Sequence, residues 1–308
     1  MASLIAVPPG LALAVFGATH AVYGWWLFIG VPVLMGYVAV ILDRRGESHY
    51  SSYIGTALMP LGISAVLLLI WKIEGAICLA MAAPLAIPLA ILGGYIAFLV
   101  RKKRGRTIVS SCLVGLVPFG LTTTQGGPAA QDFRVSTQIV VDAPPAAVWD
   151  FVYAFPDLDA PQDLIFRAGV AAPMGSSVAA LGVGADRSCK LSTGVMRERI
   201  TAWDPPRLLR FDVLSTPPAM KELSPYKDLD PPHLHGFYVS KRGEFSLEPM
   251  AGNRTLITGT SWYRHGLEPA QYWRLWSDYV IHHVHQRVLE HVKRLAEEQY
   301  GAMRLARK

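Results

Sequence analysis

Cysteine is scarce in this sequence, with three residues in 308, at Cys78, Cys112 and Cys189. Two of them lie in apolar stretches and the third stands alone in polar sequence, so their spacing excludes a disulfide framework and a recognisable zinc site. We expect all three to be small buried hydrophobic side chains. A glycine pattern that would cradle a phosphate is also missing, because Gly182 and Gly184 precede a predicted strand and not a helix.

Charged residues are missing from long segments of the N-terminal part. Four such segments are residues 21–42, 51–71, 75–100 and 107–124. A transmembrane helix needs about 20 mostly apolar residues, so we predict an all-α transmembrane bundle of about four helices over residues 1–124. The opening stretch 4–16 is too short to span and is expected to be interfacial or re-entrant. Transporters usually place ionisable side chains inside their spans, so their absence here favours an anchor or assembly bundle.

Basic residues flank these segments. Arg44 and Arg45 follow the first, and five basic residues lie within 101–106. Such a run between apolar segments is typical of a cytoplasmic anchor, and we expect no nucleic acid partner. With four spans the C-terminal half lies on the non-cytoplasmic side, whereas with three it lies in the cytoplasm. We expect a multi-pass protein of the cell or inner membrane, with the lipid bilayer as a partner and the soluble half outside. Gly93 and Gly94 would allow close helix packing, including a homo-oligomer through these helices.

The sequence becomes polar after residue 131. The glycine- and proline-containing segment TTTQGGPAAQ predicts a linker at 125–131, followed by a soluble domain at 132–308. Alternating apolar residues and a proline-started helix open this domain, several strands follow, and one long helix closes it. The predicted strands are 133–141, 187–191, 195–203, 208–213, 237–247 and 254–264, and the predicted helices are 146–155 and 269–299. This order predicts an α+β fold in which a curved antiparallel sheet wraps one long C-terminal helix, often with a cavity between them.

Several segments of this domain together resemble a known superfamily. They read VSTQIVVDAPPAAVWDFVYAFPDL, GVGADRSC and ERITAWDPPRLLRFDV, and the long closing helix follows them. The pattern resembles the SRPBCC or START-like superfamily, whose helix-grip fold includes polyketide cyclases, lipid-transfer domains and plant hormone receptors. The resemblance covers residues 132–299 and none of the membrane half. It implies a cavity but no fixed catalytic motif, so the catalytic residues stay unassigned.

A charged pair is the first candidate for a functional site. A tight turn at Thr193-Gly194 predicts that Arg187 lies opposite Ile200, which makes Arg187 and Glu198 diagonal neighbours on the cavity face. There they could fix a polar headgroup or act as acid and base. The alternative is a structural ion pair, or a register in which both face outward.

The closing helix and the last strand supply further candidates. Taking the helical period from Val280, the predicted inner face comprises Trp273, Trp276, Val280, Val284, Val288, Val292 and Leu295. His291 lies almost on this face and His283 at its edge, whereas His282 and His285 lie away from it. His291 and His283 are each a candidate proton donor or ligand anchor, or an ordinary core histidine. Trp262 and Tyr263 point to opposite faces of the last strand, and Trp262 is included as a candidate for lining the cavity.

Nine histidines make a metal site worth considering. His233 and His235 are two residues apart, and His282 and His285 three apart, so each pair could chelate. No cysteine or carboxylate completes either spacing, and we expect neither a metal nor another cofactor.

These features predict a membrane-anchored protein that holds a lipid or other hydrophobic small molecule in a helix-grip cavity. The candidate ligand-binding residues are Arg187, Glu198, Trp262, His283 and His291. The long loop 215–236 is a candidate lid over the cavity, or a surface that rests on lipid. Two alternatives stay open: a cyclase- or dehydratase-type enzyme acting on a hydrophobic substrate in the same cavity, and a structural subunit of a membrane complex.

Overall fold

Two compact units make up the chain. The computed structural model describes residues 2–20, 22–43, 50–102, 131–222, 224, 226, 229, 231 and 234–306. The helical unit comprises Met1–Ala129, Glu222–His235 and Gly266–Trp273, and the helix-grip unit comprises Ala130–Lys221, Gly236–His265 and Arg274–Lys308. The helical unit therefore includes two short stretches from the second half of the sequence.

Apolar helices form the described part of the helical unit. In chain order these are α1 (Ala2–Thr19), a π-helical turn (Trp26–Gly30), α2 (Val31–Ile41), α3 (Tyr50–Ile70) and α4 (Ala76–Lys102). Proline lies inside α1, α3 and α4. Apolar bundles tolerate interior proline because neighbouring helices and side chains can satisfy the freed backbone groups.

Two of the four predicted spans correspond to candidate spans among the described residues. The helical segments Tyr53–Ile70 and Ala76–Arg101 are long and apolar enough to cross a membrane. The predicted span 21–42 is instead a shorter apolar helix, Trp26–Ile41, and the predicted interfacial stretch 4–16 lies within α1. The fourth predicted span, 107–124, lies outside the described residues.

Glycine lets α2 and α4 come into backbone contact. A Cβ atom at Gly36 would collide with the carbonyl oxygen of Ala90, and one at Gly93 would collide with that of Val33. A larger side chain at either position would therefore push the two helices apart. Close packing was predicted at Gly93 and Gly94, and the structure has it within the chain, against α2 for Gly93 and against α3 for Gly94.

One antiparallel sheet forms the framework of the helix-grip unit. Its seven strands are β1 (Gln131–Val141), β2 (Pro173–Val178), β3 (Asp186–Leu191), β4 (Gly194–Asp204), β5 (Leu208–Ser215), β6 (Tyr238–Met250) and β7 (Arg254–His265). Their spatial order is β1-β7-β6-β5-β4-β3-β2. Strand β2 was not predicted, because its Gly-Ser-Ser centre lacks the alternating apolar pattern of a strand.

Three helices accompany the sheet. Two are short, α5 (Pro145–Val152) and α6 (Leu164–Arg167), and one is long, α7 (Ala270–Ala306). The second half of α7 buries Leu289, Val292 and Ala296 in a core that also contains Ile200 of β4 and Leu209 of β5. A sheet with one long helix on its apolar face is the arrangement of the helix-grip fold, as predicted.

We predict that Leu289→Ala destabilises the helix-grip unit by roughly 2 to 5 kcal/mol, because it leaves a cavity in this core. Leu275→Ala, on an exposed position of the same helix, is the matched control and should change stability by less than about 0.5 kcal/mol. Denaturant unfolding of the full chain in detergent, followed by circular dichroism, measures both. Equal effects of the two substitutions would contradict the described packing of α7.

Candidate functional site

The hairpin of β3 and β4 positions the charged pair. Its turn is Ser192-Thr193, and Leu191 pairs with Gly194. The predicted turn at Thr193-Gly194 is therefore wrong by one residue, and the register by two. A shift of two residues keeps every side chain on its predicted face, but it places Arg187 directly opposite Glu198 and not diagonal to it. Gly194 has a φ of +150°, which favours glycine at the position where the strand resumes.

Arg187 and Glu198 form a buried ion pair. Only 3% of Arg187 and 1% of Glu198 is exposed. The Nη1 group of Arg187 donates to Oε2 of Glu198, and its Nε donates to the carbonyl oxygen of Tyr153 at 3.2 Å. The guanidinium lies 4.6 Å from the ring centre of Phe211 and 6.0 Å from that of Phe155. The charged pair is thus surrounded by aromatic core side chains.

One oxygen of this pair lacks a partner. Within the part of the chain that the structure describes, Oε1 of Glu198 is buried and makes no hydrogen bond. Burial raises the pKa of Glu198, whereas the charge and hydrogen bond of Arg187 lower it. Such an oxygen can accept a hydrogen bond from a bound molecule, or the carboxyl can hold a proton.

Cys189 lies two residues from Arg187 on the same strand and is also buried. Burial, followed by the negative charge of Glu198, raises the pKa of its thiol to about 12. The thiol therefore stays protonated at neutral pH and is a poor nucleophile. This agrees with the expectation that Cys189 is a small buried side chain.

His285 is the buried histidine of α7, although His283 and His291 were the predicted candidates. Its Nδ1 lies 3.1 Å from Oγ1 of Thr137, and its Nε2 lies 2.7 Å from Oγ of Ser261. Burial, helped by His282, lowers the pKa of His285 to about 4. The imidazole is therefore neutral at neutral pH, with both ring nitrogens placed beside hydroxyl groups.

The predicted inner face of α7 was rotated relative to the observed one. The buried positions of this helix are Trp273, Ile281, His285, Val288, Leu289, Val292 and Ala296. The prediction assumed that Val280 lies at the centre of the inner face. This assumption assigned Trp276 and Leu295 to the inner face and His285 to the outer one. The spacing of Ile281, His285, Leu289 and Val292 was the available signal, since steps of three and four residues keep one helix face.

His291, a predicted candidate, approaches the ring of Phe155. Its ring centre is 6.1 Å from that of Phe155, the same ring that approaches Arg187. Nη2 of Arg294 lies 3.1 Å from Nδ1 of His291. Burial, followed by the charge of Arg294, lowers the pKa of His291. Arg187 and His291 thus share Phe155 as a neighbour.

Trp262 and His283 lie elsewhere. Trp262 is half-buried, and the guanidinium of Arg134 lies 5.2 Å from its ring centre. The interior position expected for Trp262 belongs to its neighbour Tyr263, which is fully buried and donates to Oδ1 of Asp278 at 2.5 Å. The Nδ1 atom of His283 lies 2.9 Å from the carbonyl oxygen of Tyr279, one turn back on α7.

The two histidine pairs considered for a metal have different outcomes. His282 and His285 both approach Oγ1 of Thr137, at 2.7 Å and 3.1 Å, so they share a hydroxyl group. His233 lies outside the described residues. Among the residues described, no three His, Cys, Asp or Glu side chains form a group suited to a metal ion.

The depressed pKa of His285 predicts a pH-dependent stability. In the unfolded chain a histidine has a pKa of about 6.5, whereas the pKa of His285 in the fold is about 4. Its contribution is therefore fully present above the unfolded pKa and is lost as the pH falls from about 6.5 to 4, by up to roughly 3 kcal/mol. Unfolding of the full chain and of His285→Gln across this range should show a shrinking difference. Parallel curves would contradict the assignment.

Two charged pairs on neighbouring positions of β3 and β4 provide a second test. Glu198→Gln leaves Arg187 buried without a charged partner and should cost roughly 3 to 5 kcal/mol. The control is Asp186→Asn, which breaks the exposed pair of Asp186 with Arg199. Solvent screens that pair, so the cost should stay below about 1 kcal/mol. The double variant Arg187→Met, Glu198→Met should lose less stability than Glu198→Gln, and a larger loss would contradict this account.

Comparisons with known proteins bear on this domain. Solved structures that match the chain include a structural-genomics protein from Nitrosospira multiformis, at 18% identity over 52% of this chain and 94% of that chain, with a TM-score of 0.33. A protein from Mesorhizobium loti matches at 15% identity over 54% and 98%, with a TM-score of 0.33. Norcoclaurine synthase from Thalictrum flavum, solved with dopamine and hydroxybenzaldehyde, matches at 10% identity over 55% and 89%, with a TM-score of 0.35.

A search of curated proteins finds no match. The sequence profile of one family, described as polyketide cyclase / dehydrase and lipid transport, matches residues 132–297, which is more than half of the chain. This match confirms the resemblance predicted for the C-terminal domain. The chain belongs to the polyketide cyclase / dehydrase and lipid transport family.

Proposed function

We propose that the helix-grip unit binds a hydrophobic small molecule with one hydrogen-bond donor group, and that the helical unit anchors the chain in a membrane. The observation that carries this proposal is the buried oxygen Oε1 of Glu198, which has no hydrogen-bond partner among the described residues. Leaving a buried acceptor unsatisfied costs about 1 to 3 kcal/mol. A donor group on a ligand would remove this cost.

The surroundings of the charged pair favour an apolar ligand body. Phe155 and Phe211 lie against the guanidinium of Arg187, and both rings belong to the core between the sheet and α7. Small-molecule sites typically combine such apolar walls with a few polar groups that fix the orientation of the ligand. His291, which also approaches Phe155, is a further polar contact for the same molecule.

Membrane attachment would suit this kind of ligand. The helices that include Tyr53–Ile70 and Ala76–Arg101 are long and apolar enough to span a bilayer. A tether keeps a binding domain at a high effective concentration near molecules that partition into the bilayer. We also propose the non-cytoplasmic side for the helix-grip unit. The basic run 101–106 is typical of a cytoplasmic loop, and the uncharged segment 107–124 would cross the membrane again before this unit begins.

An acid–base enzyme acting in the same place is the second candidate. Burial raises the pKa of Glu198, which is the direction that a general acid requires. Arg187 would then stabilise the ionised form after the proton has left. A cyclase- or dehydratase-type reaction on a hydrophobic substrate needs such a group.

Ligand capture tests both candidates. The full chain is purified in mild detergent and extracted with organic solvent, and mass spectrometry compares its extract with that of Arg187→Met, Glu198→Met. We expect a hydrophobic compound with a donor group that is depleted at least about fivefold in this double variant, as the loss of one or two hydrogen bonds implies. The exposed-pair variant Asp186→Asn should retain it.

Three outcomes decide between the candidates. An empty extract from the native chain, or equal amounts from the native chain and the double variant, would refute binding at this pair. Loss of the compound in Glu198→Gln as well as in the double variant would support simple binding through the carboxylate. A compound that accumulates in Glu198→Gln above the native level would instead support the enzyme, because an inactive variant retains the substrate that the native chain converts.

A further inference from the structure

The helical unit contains a cavity of its own. Its volume is about 400 Å³, and it is bounded by α1 to α4, the π-helical turn, Glu74, and two residues of the stretch Gly266–Trp273. Small side chains open the space, among them Gly62 on α3 and Ala82, Ala83 and Ala86 on α4. This volume lies within the range of about 300 to 1,000 Å³ that small-molecule sites usually have.

The polar groups of this cavity occupy defined places. At one end, Tyr23 donates a hydrogen bond to Oε1 of Glu74 at 3.0 Å. The ring of Trp273 lies 4.8 Å from that of Phe28. Trp273 is only 5% exposed and Ser64 only 4%, and neither Nε1 of Trp273 nor Oγ of Ser64 has a hydrogen-bond partner among the described residues. Both residues line the cavity, so two buried polar groups without a described partner lie at its wall.

The cavity lining follows α4 from the end that holds Glu74. Its wall on α4 runs from Cys78 to Ile87, which corresponds to about 13 Å along a helix. Cys78 lies near the end that holds Glu74, and the wall towards Ile87 is made of alanine and aliphatic side chains. Ser64 lies six residues before the last residue of α3, or about 9 Å from the polar end along that helix.

The available groups favour an uncharged ligand that accepts hydrogen bonds. The indole nitrogen of Trp273 can only donate, and the hydroxyl of Ser64 can donate as well as accept. No lysine, arginine or histidine lies among the described lining residues, so an anionic headgroup would lack a counter-ion. Glu74 is the acidic residue of the lining; burial, opposed by the hydrogen bond from Tyr23, raises its pKa to about 8. It is therefore mostly protonated at neutral pH and offers little attraction to a cation.

We infer that this cavity is a second binding site, for an uncharged lipid-like molecule whose head carries a carbonyl-type oxygen. The head meets the indole nitrogen of Trp273, and the apolar body extends along α4 towards Ile87. Ser64 contacts a second polar atom of the body where one is present. The site lies entirely within the helical unit and does not depend on Arg187 or Glu198.

Two glycines on α3 provide a matched test. A Cβ atom at Gly62, which lines the cavity, would meet no atom within 4 Å, and the same holds for Gly55, which does not line it. A Cβ atom therefore fits at both positions, and both substitutions raise helix propensity. Gly62→Leu places a side chain in the cavity, whereas Gly55→Leu adds the same side chain two turns away.

The probes are three chain-matched compounds that differ in head charge: radiolabelled 2-undecanone, undecylamine and undecanoate. Equilibrium dialysis measures their binding to the full chain in phosphatidylcholine nanodiscs, with empty nanodiscs subtracted. We expect saturable binding of one equivalent of 2-undecanone to the native chain and to Gly55→Leu. Binding should weaken at least tenfold in Gly62→Leu, and about fivefold in Trp273→Phe, which keeps the ring but removes one hydrogen bond.

Three results would overturn the inference. Equal binding of 2-undecanone to Gly62→Leu and Gly55→Leu would show that the cavity is not the binding site. Tighter binding of undecylamine or undecanoate than of the ketone would show that the ligand is charged. The absence of saturable binding to the native chain would show that the cavity takes no ligand of this class.

Discussion

The helix-grip unit depends on the burial of one sheet face by a single helix. The sheet has seven strands, and α7 covers its apolar face with Leu289, Val292 and Ala296, each at most 1% exposed. Burying a leucine-sized side chain contributes about 1.5 to 3 kcal/mol, so a few such positions match the net stability of an ordinary domain, about 5 to 15 kcal/mol. The same packing brings His285 against Thr137 and Ser261. The polar interior is thus a consequence of how the apolar face is covered.

Buried polar groups in this unit are of two kinds, and the difference separates structure from function. His285 has a hydroxyl group beside each ring nitrogen, which balances its loss of hydration. Glu198 has a partner for one oxygen only, although it is as deeply buried. Buried groups are satisfied in most proteins, and an exception that persists calls for an explanation. A ligand or a proton at Glu198 supplies one.

The helical unit is packed through close contacts between helices and not by one helix on a sheet. Close contact between α2 and α4 depends on glycine at Gly36 and Gly93, where a Cβ atom would meet a backbone carbonyl. Elsewhere small side chains leave space, and the cavity beside Gly62 and Ala83 results. Each unit therefore has its own candidate site, and both sites favour a largely apolar ligand with few polar atoms. The polar chemistry nevertheless differs, since Glu198 offers an acceptor whereas Trp273 offers a donor.

The amino-acid sequence by itself determined the features that depend on local pattern. Alternation over 133–141 predicted β1, and the uncharged segments 51–71 and 75–100 predicted α3 and α4. The order of strands followed by a long helix predicted an antiparallel sheet covered by one helix. These features are local because strand alternation and helical apolarity repeat every few residues along the chain. The buried, inward position of Arg187 and Glu198 also followed, since it depends on the parity of positions along each strand.

Only the tertiary structure decided contacts between distant or closely competing positions. The turn between β3 and β4 lies one residue earlier than predicted, so Arg187 pairs with Glu198 and not with Ile200. The inner face of α7 is rotated by one residue from the prediction, so His285 is buried in place of His283. In the helical unit, Glu222 accepts hydrogen bonds from the backbone of Ile77 and the thiol of Cys78, across 145 and 144 residues of sequence. Alternative strand registers, and alternative rotations of a helix about its axis, are compatible with the same local pattern of apolar and polar residues. Their free energies differ through the packing of the whole core, which no short segment of the sequence contains.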